Sequence, residues 1–372
     1  MSPDSTRGEP LSSVLVVGAG LMGTSVGLAL RAHDVDVYLA DRDEAAAALA
    51  EDLGAGTAGT PPGDPELVVL AMPPASIAGV LHRLQSTYLE STFTDLASVK
   101  SRPQAEAESL GCDLTRFVGG HPLAGRERSG AGAARADLFE GRPWVLTPSA
   151  EGTPVSVARA EELVRLCGAQ LVSMTPARHD EAVALVSHVP QLVASLTAAR
   201  LAIAADDLVA LSGQGIRDVT RIAASDPDMW TEILSANAPF VLRVLDALAE
   251  DLGDLRDTLV ELEESTSLQM DKSLSLPIFE LLQRGNAGYR RIPGKHGAPP
   301  ATYVMVPVVV SDSPGELARL LVASGEAGIN VEDVSIEHSP GQLVGLVELA
   351  VRPVAAQALA DALRSGGWSV HF

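Results

Sequence analysis

Positive charge is scarce in this chain of 372 residues. Against 48 Asp and Glu stand 27 Lys and Arg, for a formal net charge of −21 and a pI near 4.7. A surface this acidic repels nucleic acid and anionic membranes over most of its area, so neither is expected as a partner, and an anionic substrate needs arginines clustered locally. Cysteine is also rare. Cys112 and Cys167 are the two present, in no metal-type or redox-type spacing, so the expectation is free thiols in a reducing compartment and no metal site. The first dozen residues hold no apolar run, and the hydrophobic stretch after them is interrupted by glycines. The sequence therefore predicts neither a secretory signal nor a membrane span, and a cytoplasmic location. The remainder, 46% hydrophobic and 20% charged, is the composition of a globular protein long enough for two or three domains.

Between Ser13 and Asp41 the order of residues is that of a nucleotide-binding unit. Val14 to Val17 read as a buried strand, Gly18-Ala19-Gly20-Leu21-Met22-Gly23 as a turn, the residues to about Arg31 as a helix, and Val35 to Ala40 as a second strand ending on Asp41. Gly18 permits the tight turn, Gly20 lets backbone approach a pyrophosphate, and Gly23 lets the helix pack on the strand. The diphosphate then sits among the free N–H groups of the helix N-terminus, around Leu21 and Met22. Asp41, about twenty residues past the motif, is placed to accept hydrogen bonds from the adenosine ribose and to repel a 2′-phosphate, which favours NAD over NADP, with Arg42 beside it pulling the other way.

Further strands are predicted at Leu67 to Ala71, Thr92 to Leu96, Arg116 to Gly119 and Pro143 to Thr147, alternating with helices at Glu44 to Leu53, after Pro73-Pro74 and at Val155 to Gly168. This pattern predicts an α/β, doubly wound Rossmann-type domain with a parallel sheet over residues 1–172. From 173 to 285 the pattern becomes all-α, with apolar residues at threes and fours over Asp180 to Ala204, Asp207 to Ile222 and Pro239 to Thr266, and a homodimer built on these helices is expected. Residues 286–300, rich in glycine and proline, read as a linker, and 301–372 as a separate βαββαβ module of ferredoxin-like type.

Two polar residues follow strands on the side where a nicotinamide would lie. Ser98 follows the fourth predicted strand and His121 the fifth, and a histidine there suits a general base for a hydroxyl that loses its proton as hydride leaves the same carbon. The bland alternative is a turn histidine that caps a helix. His179 and His188 lie nine residues apart on one predicted helix, roughly opposite one another, so they share a pocket only if the helix is broken between them, for which Pro190 is a candidate. His179 reads equally well as a cap at the start of its helix. Arg221, taken alone, reads as a surface arginine paired with Asp218 or Asp226.

Four segments together resemble the prephenate and arogenate dehydrogenases of tyrosine biosynthesis: Gly120-His121-Pro122-Leu123-Ala124-Gly125-Arg126-Glu127, Asp95-Leu96-Ala97-Ser98-Val99-Lys100, Ser187-His188-Val189-Pro190 and Asp218-Val219-Thr220-Arg221-Ile222-Ala223. The likeness spans Val14 to about Glu263. The tail is separately similar to an ACT domain through Asp312-Ser313-Pro314-Gly315-Glu316-Leu317 and Gly328-Ile329-Asn330.

The resemblance implies an NAD-dependent oxidative decarboxylation of a cyclohexadienyl substrate that needs no metal. It makes His121 the acceptor of the hydroxyl proton, Ser98 a hydrogen-bonding partner of the same hydroxyl, and Arg221 the bidentate clamp on the ring carboxylate. It places His188 in the substrate pocket and Glu127 at its mouth, and matches Trp230 to a family aromatic. Many prephenate-specific relatives carry a further histidine where this chain has Gln191, and a small residue where it has Arg126. Prephenate, ending in a pyruvyl group, is the primary reading, and arogenate, ending in an amino acid, the alternative. The ACT-like tail implies feedback by an amino acid, tyrosine foremost, near Asp312, Gly315 and Asn330, or a ligand-free oligomerisation module.

Two other functions compete. A 3-hydroxyacid or imine reductase of similar architecture would need a catalytic lysine on the helical domain, where Lys272 alone occurs near its end. An NAD-sensing regulator without turnover would have no use for the Ser98, His121 and Arg221 set.

Overall fold

Runs such as Leu67–Leu70, LVVL, are apolar on both faces, and all four residues are buried, as happens only where helices cover a sheet on both sides. The computed structural model describes residues 10–125, 128–265, 275–293, 303–338 and 344–372. These fall into two compact units, Met1–Arg256 and Asp257–Phe372.

The first unit is built on an eight-stranded sheet of β1 (Ser13–Val17), β2 (Asp36–Ala40), β3 (Thr57–Ala58), β4 (Leu67–Leu70), β5 (Thr92–Asp95), β6 (Phe117–Pro122), β7 (Pro143–Pro148) and β8 (Gln170–Ser173), in the order β3-β2-β1-β4-β5-β6-β7-β8. Helices α1 (Leu21–Arg31), α2 (Glu44–Asp52), α3 (Pro74–Thr87), α4 (Ser101–Ser109) and α5 (Pro154–Leu166) cover it. Successive residues of β1 feed opposite layers. Val14 and Val16 pack with Val26, Leu30, Leu146 and Leu163, whereas Leu15 packs with Val68, Ile77, Leu81 and Phe93. The chain reverses its direction of travel across the sheet between β1 and β4, so the crevice at their carboxyl ends is the switch point where such folds bind ligands.

The sheet departs from the all-parallel expectation at one pair. β7 runs antiparallel to β6, with His121 opposite Val145. Among its described residues, the connection between them holds a 3₁₀ turn at Ala131–Ala133 and no α-helical crossover of the kind parallel neighbours require. The strands the sequence did not announce, β3 and β8, are short edge elements without a buried apolar run.

After β8 the chain is helical to the end of the unit. α6 (Pro176–Val183) starts earlier than predicted because Thr175 caps it, accepting from the Arg178 N–H. A π-helical turn, Ala184–His188, separates α6 from α7 (Val189–Leu201). The helix expected over Asp207 to Ile222 is instead α8 (Asp206–Val209), α9 (Gln214–Thr220) and a 3₁₀ turn Arg221–Ala223, with Gly213 at the break. α10 (Pro227–Ala236), absent from the sequence reading, is started by Asp226, whose side chain accepts from the N–H groups of Asp228 and Met229. α11 (Ala238–Glu264) follows and runs past the division between the units.

The second unit contains α12 (Leu276–Tyr289), then β9 (Val304–Ser311), α13 (Glu316–Glu326), β10 (Asp333–His338), β11 (Val344–Val351), α14 (Pro353–Ser365) and β12 (Ser369–Val370). The glycine-rich stretch read as linker thus begins as helix, since α12 continues through Gly285 and Gly288, and its last residues, 294–300, lie outside the described residues. The strands form an antiparallel sheet in the order β10-β11-β9-β12, the βαββαβ pattern, over a core of Val306, Val308, Leu349, Val351, Leu359 and Leu363.

Candidate active site

The nucleotide end of the site is set by three glycines with different constraints. Gly18 has φ +110°, and a Cβ there would lie 2.1 Å from the Ala71 carbonyl oxygen, so the turn after β1 and the end of β4 approach too closely for any side chain. A Cβ at Gly23 would lie 1.9 Å from the Gly18 oxygen. Gly20, which begins α1 without a side-chain cap, has open space where its Cβ would be. That opening in front of a helix N-terminus is the cradle a pyrophosphate needs. Asp41, at the end of β2, also braces the turn: its Oδ2 accepts from Ala19 N–H at 2.7 Å and its Oδ1 from Asp43 N–H at 2.9 Å. The remaining acceptor capacity of the carboxylate is available to a ribose.

The chemical end lies at the carboxyl ends of the parallel pair β5 and β6. Asp95, the last residue of β5, accepts from the Gly120 N–H with Oδ1 and from the Ala97 N–H with Oδ2, both at 3.0 Å, and pairs with Lys100, whose ammonium also donates to the Gly120 carbonyl. Both charges are buried, at 1% and 2% exposure. Burial pulls the Lys100 ammonium below its ordinary value against the attraction of Asp95. This clamp joins the turn that carries Ser98 to the strand that carries His121. Ser98 is half-buried, and its hydroxyl has no protein partner among the described residues.

His121 meets a second imidazole. Its Nδ1 lies 2.8 Å from Nε2 of His179, the ring planes crossing at 72°. His179 in turn presents Nδ1 to Oδ1 of Asp180 at 2.7 Å, and both are 1% exposed. Burial, with the neighbouring His179, Lys100 and His188, holds the His121 imidazolium well below the usual histidine range, so His121 is neutral at physiological pH. Burial by itself would raise the Asp180 carboxyl, but hydrogen bonds from His179, Ser101 and Lys100 prevail and keep it below the usual carboxylate range.

His188 belongs to the same cluster. Burial pushes it down to about 4, and Asn237 donates from Nδ2 both to the Asp180 carbonyl, at 2.9 Å, and to His188 Nδ1, at 2.9 Å. Its Nδ1 being an acceptor, neutral His188 carries its proton on Nε2 and is a donor. The ring stands edge-on to Trp230, with centroids 6.0 Å apart. The π turn is what brings His179 and His188 into one cluster: Pro190 has no N–H to return to the preceding turn, and the helix widens there by one residue.

The remaining predicted residues divide clearly. Gln191 is buried on α7 and approaches the Ser225 hydroxyl at 3.4 Å. Arg221 begins the 3₁₀ turn packed against α7, and it is exposed with no carboxylate partner among the described residues. Asp218 is instead bonded to Gln214, and Asp226 caps α10, so the surface-pair alternative for Arg221 is not realised. Glu127, like Arg126, lies outside the described residues. Asp312, Gly315 and Asn330 belong to the second unit and are exposed; Gly315, at φ +91°, starts α13, and the Asn330 amide donates to Glu332. Sequence reasoning missed Asp180 and Asn237 as members of the site, and placed His179 second to His188. Asp95 and Lys100 stood in a quoted motif, but nothing in the sequence alone told that both would be buried.

Comparisons with known proteins agree along the chain. The family described as prephenate dehydrogenase, nucleotide-binding domain, matches residues 26–173, and that described as prephenate dehydrogenase, dimerization domain, matches 175–273. A "Probable prephenate dehydrogenase NovF" of Streptomyces niveus is 39% identical over 97% of this chain and 100% of its own length, and a prephenate dehydrogenase of Bacillus subtilis is 27% identical over 91% of each. Among solved structures, a prephenate dehydrogenase from A. aeolicus in complex with hydroxyphenyl propionate and NAD+ superposes with a TM-score of 0.64 at 29% identity, over 76% of this chain and all of that one. A Synechocystis arogenate dehydrogenase gives 0.63 at 26% identity, over 75% of this chain and 99% of that one.

Proposed function

The chain belongs to the prephenate dehydrogenase family, and on that premise we propose that His121, Ser98, His188 and Arg221 carry out the NAD-dependent oxidative decarboxylation of prephenate to 4-hydroxyphenylpyruvate. The observation that carries this reading is the His121 imidazole at the carboxyl end of β6, bonded to His179 at 2.8 Å and one strand from Ser98. Bound NAD supplies the hydride acceptor. Gly20 and the α1 N-terminus hold its pyrophosphate, and Asp41 its ribose.

The roles of the side chains follow from what each can donate or accept. His121 takes the proton of the ring hydroxyl as hydride departs from the same carbon, and Ser98 aligns that hydroxyl. Arg221 grips the ring carboxylate until the bond to it breaks, when its electron pair enters the ring and carbon dioxide leaves. The aromatic product oxygen then recovers the proton from His121, so no net proton leaves the site. His188, a neutral donor, completes the polar lining without adding charge.

Arogenate is the second reading, and one observation favours it. Gln191 puts a neutral amide where a histidine would pair with a pyruvyl carboxylate, so an amino-acid side chain is not at an electrostatic disadvantage. Initial rates on prephenate and arogenate, compared at equal concentration, decide between the two. A prephenate rate at least tenfold higher supports the primary reading, and the reverse assigns the chain to arogenate.

We also infer a homodimer. Pro176–Leu201 has a mean hydropathy of 1.5 over its most apolar window, yet only a third of that window is buried. Its outward residues, among them Leu185, Val186 and Leu196, are exposed apolar side chains, whereas its inward face holds the polar cluster of His179, Asp180 and His188. A self-associating helical face accounts for both, in a protein of the cytoplasm. Sedimentation at twice the chain mass is the expected result, and a monomer would contradict it. The second unit is read as an ACT-type module sensing tyrosine near Asp312, Gly315 and Asn330; removal of residues 300–372 should abolish tyrosine inhibition, and undiminished inhibition would refute that role.

A further inference from the structure

Asp180 is a buried carboxylate held by backbone N–H groups and by a histidine ring. Oδ1 accepts from the Lys100 backbone N–H and Oδ2 from the Ser101 backbone N–H, each at 2.8 Å, and Oδ1 also faces His179 Nδ1. An ionised carboxylate has no proton to give, so Nδ1 of His179 must be the donor in that contact. With one proton on each ring, His179 Nε2 is then the acceptor, and the 2.8 Å contact has His121 donating from Nδ1. One lone pair is left over at the end of the chain, on His121 Nε2. The two backbone donors open α4, just after the turn that carries Ser98, so the carboxylate that orders the two rings is fixed to the same loop as the hydroxyl that aligns the substrate.

We propose that Asp180 and His179 are positioning residues that hold His121 in the tautomer with Nε2 open as a proton acceptor. The proposal rests on His121 being the base. It does not make the chain a proton exit: the reaction returns the proton to the product oxygen, so nothing has to travel beyond His121.

Asp180→Asn is nearly isosteric and removes the charge that holds the proton on His179 Nδ1, so the reversed order becomes accessible. With the NH₂ turned to His179 Nδ1 that nitrogen accepts, His179 donates from Nε2, and His121 is left with its proton on Nε2. The turnover number should fall about 10³- to 10⁴-fold, the scale seen when an amide replaces the carboxylate behind a catalytic histidine, with KM for substrate and affinity for NAD little changed. A ¹⁵N spectrum of the histidine rings, assigned by single substitutions, should show the protonated nitrogen of His121 moving from Nδ1 to Nε2.

A second pair of variants guards against misfolding. His179→Gln offers an amide oxygen to His121 and an NH₂ to Asp180, so it keeps the order without relaying a proton, whereas His179→Leu keeps neither. The glutamine variant should retain at least tenfold more activity than the leucine variant. Equal activity of the two, or an Asp180→Asn enzyme that turns over at the wild-type rate with the His121 proton on Nε2, overturns the proposal. An active His121→Asn enzyme would instead remove the reading of His121 as base, a separate failure.

Discussion

Replacing Lys100 with methionine tests the clamp between the strand ends that carry Ser98 and His121. The ammonium is 2% exposed and holds Asp95 on one side and the Gly120 carbonyl on the other. Methionine fills the space of the aliphatic stem but leaves the Asp95 carboxylate buried without its counter-charge. Rupture of a buried pair by removal of one partner costs about 3–5 kcal/mol, most of it the burden of the charge left behind. For a unit of this size each kcal/mol moves the midpoint by roughly 2–4 °C, so the unfolding midpoint should drop by about 10 °C. Turnover should fall with it, because the clamp sets the spacing between Ser98 and His121. The intact pair is not in itself a large source of stability, since burial already pulls the ammonium down. Lys100→Met combined with Asp95→Asn, which removes both charges, should therefore recover most of the loss. Calorimetry of the four proteins measures the coupling. A single variant within about 1 kcal/mol of wild type, or a double variant whose loss is the sum of the singles, would refute the reasoning.

Other perturbations separate residues that fold the site from residues that bind in it. Gly20→Ala meets open space and should leave the midpoint unchanged while raising KM for NAD about tenfold or more, whereas Gly18→Ala, at φ +110° and 2.1 Å from the Ala71 oxygen, should unfold at a lower temperature; equal midpoints would contradict the assignment. Arg221→Ala should cost about 2–3 kcal/mol of substrate binding, seen as a KM raised roughly 100-fold with the fold intact, and Arg221→Lys should recover only part of it. His188 has a folded-state value of about 4 against 6.5 in the unfolded chain, so the unfolded state binds the extra proton. Its contribution is complete above pH 6.5 and is lost as pH falls towards 4, about 3 kcal/mol in all. Denaturation at a series of pH values should show this slope, and His188→Gln should flatten it.

Much of this site was legible in the sequence because its parts sit in turns whose residue types have few alternatives. A glycine with positive φ after a buried strand, an acid closing the next strand, and a histidine between glycine and proline at a strand end each admit a narrow set of geometries. The helical region was harder to read. A uniform helix puts His179 and His188 on opposite sides, and only the π turn before Pro190 brings them together. Proline announces that a helix is perturbed but not by how many residues. Asp180 and Asn237 escaped for a different reason: an acid after a helix start and an amide between two helices look like ordinary surface positions until the tertiary fold buries them. The antiparallel β7 was likewise invisible, since its apolar run reads the same in either direction.

The role proposed for His121 is to accept the hydroxyl proton as NAD takes hydride from a cyclohexadienyl ring that then loses carbon dioxide. The most direct test is to incubate the full-length protein with NAD and prephenate and to quantify NADH, carbon dioxide and 4-hydroxyphenylpyruvate in one reaction, for wild type and His121→Asn. Wild type should give the three products in equal amounts, and the variant a rate lower by about 10²- to 10⁴-fold with NAD still bound. Absence of NADH with both prephenate and arogenate, or undiminished turnover by His121→Asn, would contradict it.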